Sequence, residues 1–376
     1  MMTKDLPIVE LAASPRNNGR AHGEALRDKI AGILELWRAT TTLPGGLSFQ
    51  DFIERFLAET RFTDQIRHHM PPLMEEIAGI ADGANQPPDL VLAFQFGDEA
   101  RWYLRDRFAE PARGDRCSSL GAVGDASGAT VIAQNIDVGA WADGAQAVLR
   151  LRDAVTGGET LIFTVAGMIG MNGISGNGIG LCCNTLLQLD PDPAGLPVAA
   201  IVRRTLASRD FQEAAEFLRT VPHASGQNYL LAGRHDVINF ECSAGGAVPF
   251  RLDGRSDRVV HTNHPLISPF TARFADWRKR APDALDEALE TSSLRRLESL
   301  KARFAASRGR CSVGDAQAAL RARDDPSYPV CREAVPDGWM TIGATVFEIG
   351  DEPVMHVAPG APSQCEFLAL AAARSA

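Results

Sequence analysis

Apolar residues recur at helical spacing through the first third of the chain and at strand spacing through most of the rest. Between residues 21 and 38, Leu26, Ile30, Ile33, Leu34 and Trp37 share a face, with Glu24, Arg27 and Asp28 between them, and predict a helix. Further helix patterns cover 49–60 and 71–82; in the second, Leu73, Ile77 and Ile80 are spaced for one face. Pro87-Pro88-Asp89 opens another, running towards Phe108, since proline is tolerated in a first helical turn. After residue 117 the period changes. Short β-rich runs fall at 130–135, 147–152, 160–165, 179–184, 229–232, 237–241 and 258–262, several of them separated by glycine-rich turns. Helix patterns at 197–207 and 211–220 interrupt the strands. A long polar-faced helix over 284–306, a shorter one over 313–322, and strands at 340–349 and 353–357 complete the series. That succession fits a layered protein with two packed sheets. There is no internal repeat and no low-complexity linker.

Composition narrows the class. The 376 residues are 45% hydrophobic and 23% charged, as in ordinary globular proteins. A net charge of −9, with no local Lys/Arg cluster, argues against a nucleic-acid surface. No apolar run is long enough to span a bilayer. The start, Met1-Met2-Thr3-Lys4-Asp5-Leu6-Pro7, lacks the apolar core of a signal peptide, so the expected location is cytoplasmic. Seven scattered cysteines suit a reducing compartment and no disulfide framework. No C-x-x-C occurs, and adjacent Cys182-Cys183 cannot both face one side of a strand. No metal site is expected.

Chemistry concentrates where helix pattern gives way to strand pattern, at Gly114-Asp115-Arg116-Cys117-Ser118-Ser119. If the chain cleaves itself between Arg116 and Cys117, Cys117 becomes an N-terminal residue. Its thiol is then a nucleophile with its own α-amine as base, and an α-amine titrates near 7.7–8.0. The plainer reading is a cysteine that starts an ordinary strand.

Four other segments bear on this choice. Gly167 to Gly180 is dense in glycine but matches no phosphate-binding motif; tight turns and close backbone approach explain it better. In His261-Thr262-Asn263-His264, no H-E-x-x-H helix supports a metal. Asn263, at a strand end, is either a turn residue or an amide donor for an oxyanion. In Gln134-Asn135-Ile136-Asp137, Asn135 and Asp137 point the same way if extended. They either end a hairpin strand or orient an amine and a substrate. Glu241, between Phe240 and Cys242, is a charge in an apolar strand and faces solvent by default.

Together these segments resemble the acyl-coenzyme A:isopenicillin N acyltransferase family, the C45 group of N-terminal nucleophile hydrolases. Ser14-Pro15 through Gly19, with His22-Gly23, resembles its N-terminal signature, and Glu75 through Ala84 its next helix. Cys117-Ser118-Ser119 matches the nucleophile junction. Gln134-Asn135-Ile136-Asp137 matches Q-N-W-D with Ile136 in place of tryptophan. Gly167 through Asn184, His261 through His264, Val330-Cys331-Arg332 and Gly360-Ala361-Pro362 match later elements in order. Arg116 stands where the acyltransferase that names the family has glycine, a departure that bears on the speed and completeness of cleavage.

The resemblance implies an α+β fold, a four-layer αββα sandwich. It implies a precursor that cleaves itself at the Arg116–Cys117 junction, so that 1–116 is a helical N-terminal segment of the same fold. Residues 117–376 would then carry the nucleophile and the two-sheet core. Cys117 is then nucleophile, base and oxyanion donor, Asn263 completes the oxyanion hole, and Asp137 helps place the α-amine. Asn135, Asn184, Ser118 and Glu241 are supporting or substrate-binding candidates. The expected activity is hydrolysis or transfer of the acyl group of a small N-acyl amide or peptide through a Cys117 thioester. No cofactor is expected, a coenzyme A thioester being the alternative acyl donor. Nucleic acid and membrane are not expected partners. Cleaved chains should stay together, with homo-oligomers left open. Two alternatives are an uncleaved binding protein of this fold, and a Cys–His enzyme in which His261 or His264 activates Cys117.

Overall fold

The computed structural model describes residues 4–108, 117–124, 128–153, 155–251, 257–280, 287–306, 311–333 and 338–375. Its N-terminal part begins with strand β1 (Ile8–Leu11). Seven helices follow: α1 (Pro15–Ala25), α2 (Arg27–Thr40), α3 (Phe49–Glu59), α4 (Phe62–His69), α5 (Pro71–Ala84), α6 (Pro88–Phe94) and α7 (Gly97–Phe108). The helix expected over 21–38 is two helices, because Leu26 breaks from helical backbone (φ −119°, ψ 21°). The helix expected from Pro87 to Phe108 likewise divides into α6 and α7.

Helices α1 and α5 lie unusually close, and four glycines allow it. A Cβ on Gly19 would meet the Glu76 carbonyl, on Gly23 the Ile80 carbonyl, on Gly79 the Arg16 carbonyl, and on Gly83 the Arg20 carbonyl. Each helix therefore presents glycine to the other's backbone, and no side-chain rearrangement relieves such a contact.

The rest of the chain builds the sheets. Strands β2 (Ser118–Ala122), β3 (Thr130–Gly139), β4 (Gln146–Arg152), β5 (Glu159–Val165), β6 (Asn172–Ser175) and β7 (Ile179–Thr185) lead into α8 (Val198–Leu206) and α9 (Phe211–Thr220). Then come β8 (Gln227–Ala232), β9 (Val237–Ser243), β10 (Gly246–Phe250), β11 (Arg258–His261), α10 (Ala272–Arg280), α11 (Glu287–Ala306), α12 (Val313–Leu320), β12 (Trp339–Ile349), β13 (Val354–Ala358) and β14 (Leu368–Ala371). The Gly167–Gly180 run contains β6 and two turns with left-handed glycines, Gly167 at φ +87° and Gly178 at φ +75°. Gly180 lets Ile132 and Ile349 of the other sheet approach its backbone. The run is thus turns and close approach.

The strands form an eight-stranded sheet, ordered β1-β4-β5-β6-β7-β8-β9-β10, and a six-stranded sheet, ordered β11-β2-β3-β12-β13-β14. Pairing is antiparallel except that β1 runs parallel to β4. Alternation along each strand sets the layers. In β3, Ile132 and Ile136 join the core between the sheets, with Phe163, Leu181 and Phe347. The intervening Val131 and Ala133 face the other way, against Leu297, Leu300 and Phe304 of α11 and Leu320 of α12. Helices α8 and α9 lie against β6–β10 of the larger sheet. The fold is an α+β, four-layer αββα sandwich. Among the described residues no helix is long and apolar enough to cross a membrane.

Candidate active site

Cys117 stands immediately before β2, and β2 alternates. Ser119 points to the larger sheet and donates to Asn184 Oδ1 at 2.7 Å. Ser118 points the other way and accepts from Arg296 Nη1 at 2.9 Å. Cys117 is buried, with its Sγ 3.8 Å from the main-chain oxygen of Asp137 on the adjacent strand. The Asp137 carboxylate is buried too, and its Oδ1 accepts from Thr341 Oγ1 at 2.6 Å. The register of β12 against β3 shifts between Thr341 and Gly343, beside this pair.

Strand β11 pairs with β2 so that His261 faces Ser119. Asn263 follows two residues after β11 and Cys117 one residue before β2, and both bond the Arg296 guanidinium. Three contacts fix Asn263. Its main-chain N–H donates to Ser293 Oγ at 2.7 Å, its Nδ2 donates to the Thr185 carbonyl at 3.0 Å, and its Oδ1 accepts from Arg296 Nη2 at 3.1 Å. Asn184, at the end of β7, uses Oδ1 for Ser119 and for Asn228 Nδ2, the latter at 3.4 Å. Its Nδ2 is buried with no acceptor among the described residues. An unmet buried amide donor is a group that a ligand carbonyl would satisfy.

Asn135 shares a face with Asp137, as the spacing requires, but serves elsewhere. Its Nδ2 donates to the carbonyls of Leu320 at 2.8 Å and Val330 at 2.9 Å, bracing the end of α12 against β3.

The solvent-facing expectation for Glu241 is overturned: the residue is fully buried between the sheets. Its Oε1 lies 2.8 Å from His261 Nε2, and its carboxylate accepts main-chain N–H bonds from Leu266 (2.6 Å), Ile267 (3.1 Å) and Ser268 (2.7 Å). Desolvation pushes its pKa up, but the bond to His261 and these backbone donors together outweigh that and hold it below the usual carboxylate value. Glu241 thereby anchors the loop that follows Asn263. His261 is used up by this arrangement, since its Nδ1 lies 2.8 Å from the Thr262 carbonyl. His264 contacts Ser293 Oγ at 2.7 Å through Nδ1, and burial pushes its pKa down to about 4. A histidine so depressed is a poor base at neutral pH. No hydrogen bond joins either histidine to Cys117 among the described residues.

Sequence reasoning missed Arg296. It lies on α11, is fully buried, and donates to the Cys117 carbonyl at 2.6 Å, to Ser118 and to Asn263. The signal was present but weak. Ser292, Ser293 and Arg296 continue, one turn earlier, the helical stripe of Leu297, Leu300 and Phe304. A polar stretch on a long helix reads as solvated until its neighbours are known. Arg116, the residue before the cysteine, lies outside the described residues.

No curated protein matches the chain significantly. Solved structures similar at low identity include the following three. The Caenorhabditis elegans N-acylethanolamine-hydrolyzing acid amidase ortholog is 17% identical, covering 62% of this chain and 93% of its own, with a TM-score of 0.42. A conjugated bile acid hydrolase from Clostridium perfringens is 11% identical, with 68% and 92% covered and a TM-score of 0.47. Penicillin V acylase from Agrobacterium tumefaciens is 14% identical, with 64% and 82% covered and a TM-score of 0.37. A family model, acyl-coenzyme A:6-aminopenicillanic acid acyl-transferase, matches residues 126–362, a range that includes Asp137, Asn184, Asn263 and Arg296. That match spans more than half of the sequence, and the chain belongs to the acyl-coenzyme A:6-aminopenicillanic acid acyl-transferase family.

Proposed function

We propose that the protein is a self-processing amidohydrolase of this family whose mature nucleophile is the N-terminal Cys117. The observation that carries the reading is the meeting at one buried cysteine of Asp137, whose main-chain oxygen lies 3.8 Å from Cys117 Sγ, and Asn263, whose Oδ1 shares the Arg296 guanidinium with the Cys117 carbonyl. In maturation the Cys117 sulfur attacks the Arg116 carbonyl carbon, and the peptide C–N bond breaks as its nitrogen takes the thiol proton. Water then hydrolyses the resulting thioester, leaving an Arg116 carboxylate and a Cys117 α-amine. In turnover that amine takes the thiol proton, and the thiolate attacks the acyl carbon of an N-acyl amide. The tetrahedral oxyanion is held by Asn263 Nδ2, with Asn184 Nδ2 as a supporting donor. The C–N bond breaks, the leaving amine takes the proton from the α-ammonium, and water releases the acyl group as a carboxylic acid.

Hydrolysis is favoured over transfer because water is always present, whereas transfer needs a second site for an acceptor amine or a coenzyme A thioester. N-acyl amino acids, acylated amines and small peptides are the substrate classes, and no cofactor enters the steps. The cleaved chains stay together in the cytoplasm.

The test is covalent. Purified protein is mixed with a panel of acyl p-nitroanilides from acetyl to lauroyl, quenched in acid, and digested for peptide mass. The expected result is p-nitroaniline release and one acyl adduct on the peptide beginning at Cys117, both absent in Cys117→Ala. Release that persists in Cys117→Ala contradicts the reading.

A further inference from the structure

The guanidinium of Arg296 joins three separate stretches of chain at one point. Its Nη1 donates to the Cys117 carbonyl at 2.6 Å and to Ser118 Oγ at 2.9 Å, and its Nη2 donates to Asn263 Oδ1 at 3.1 Å. Its Nε reaches Ser292 Oγ, one turn back on the same helix, at 3.3 Å. We propose that Arg296 is a positioning residue: it keeps the nucleophile and its amide donor in register once the chain in front of Cys117 has been cut. The inference rests on the N-terminal nucleophile reading above.

The physical need comes from the cut itself. Ladder pairing of β2 with β3 begins at Ser118, opposite Asn135. After cleavage Cys117 is a chain end beyond that ladder, and chain ends fray unless tied down. Arg296 holds the carbonyl on the retained side of the cut, so this tether survives cleavage. The same group sets Asn263. Arginine only donates and a main-chain carbonyl only accepts. Arg296 at Oδ1 and the Thr185 carbonyl at Nδ2 therefore leave one orientation for that amide. Donation to Oδ1 also polarises the amide and strengthens its N–H donors. The planar fork of arginine spans these acceptors; the single ammonium of lysine cannot reach them all.

The experiment compares wild type, Arg296→Met and Arg296→Lys as full-length genes. Intact mass gives the cleaved fraction. On cleaved protein, iodoacetamide alkylation of Cys117 is followed by peptide mass, with the other six of the seven cysteines as internal standards. Turnover of the acyl p-nitroanilides is normalised to the cleaved fraction. For Arg296→Met, Cys117 alkylation is expected to rise on the order of tenfold with the other cysteines unchanged. Its kcat should fall about 10²-fold while KM stays within about threefold. Arg296→Lys should lie between, and it carries the test if Arg296→Met does not fold. Alkylation and kcat within about twofold of wild type in both variants overturn the proposal. So does a uniform rise across all cysteines, which means general loosening. If the wild type is uncleaved, the functional reading fails separately. Alkylation of Cys117 in the intact chains then still reports whether Arg296 holds it. If the wild type cleaves but turns over no panel member, alkylation alone decides.

Discussion

At the residue scale the account depends on a few buried polar groups whose partners are distant in sequence. Asn263 is the sharpest case. Removing one oxyanion donor costs about 10²–10³ in rate, so Asn263→Ala should lose that much kcat while circular dichroism stays close to wild type, with the thermal midpoint lowered because Arg296 and the Thr185 carbonyl each lose a buried partner. Full activity in that variant would remove Asn263 from the chemistry. Glu241 makes a stability prediction. Its two oxygens accept from His261 and three main-chain N–H groups, so an amide at this position would turn a donor towards donors. Glu241→Gln should cost at least about 2 kcal/mol by urea denaturation at neutral pH. The sign with pH follows from its depressed pKa. The stabilisation is complete above the unfolded carboxyl value of about 4.3 and is lost as pH falls through the lower folded value. The gap between wild type and Glu241→Gln should therefore narrow in acid. Cys117, Asp137 and Asn263 were legible as chemical types at suggestive strand ends. Glu241 was legible as a charge in an apolar strand but was expected to face solvent, and Arg296 was not singled out. What makes each informative is burial against His261, or against Cys117 and Asn263, and neither sequence spacing nor side-chain type carries that.

At the element scale, legibility followed amphipathic contrast. Helices α8 and α9 and strands β7, β8 and β9 have strong patterns, and the structure has them close to the expected bounds. Strands β1, β10 and β14 are short and lie at sheet edges, where burial is incomplete. Strand β6 is hidden in a glycine-rich run, and the break at Leu26 falls on a residue that continues a helix elsewhere. The α1–α5 contact offers a decisive substitution. Gly79→Ala would gain about 1 kcal/mol of helix propensity. The new Cβ would collide with the Arg16 carbonyl, and backbone cannot rotate away as a side chain can. Overpacking of this kind costs about 1–3 kcal/mol and wins, so Gly79→Ala should lower the urea midpoint. An unchanged or higher midpoint would mean that the helices separate freely.

At the scale of the whole molecule, the order of helices and strands was enough to read two packed sheets, but sheet order was not. Strand β1 joins β4 in parallel, inserting the N-terminal segment into the larger sheet. A buried bidentate pair, Glu76 with Arg203 at 2.6 and 2.7 Å, ties α5 to α8. These contacts predict that the cleaved chains co-elute in size-exclusion chromatography at neutral pH and part only on unfolding; separate peaks would contradict them. Stability should fall in mild acid. Desolvation holds His22 and His223 at a pKa of about 4, so between about 6.5 and about 4 the unfolded state takes up protons that the folded state refuses. Each is then stabilising above about 6.5 and loses on the order of 3 kcal/mol as pH falls through that window. Buried Glu99, raised to about 7 first by desolvation, has the opposite sign and gains as pH drops below that value. His264, also held at about 4 by burial, adds to these two, so the thermal midpoint should drop between pH 7 and 4.5, and more steeply in Glu99→Gln.

The central claim is that Cys117 becomes an N-terminus, and the most direct measurement is the intact mass of purified wild type beside Cys117→Ala. Prorating 40.4 kDa by 116 and 260 of 376 residues, the account predicts wild-type fragments of about 12 and about 28 kDa, the larger beginning at Cys117, and an uncut mutant. A wild-type chain that stays at 40.4 kDa under native conditions, or one that is cut equally in Cys117→Ala, would contradict it.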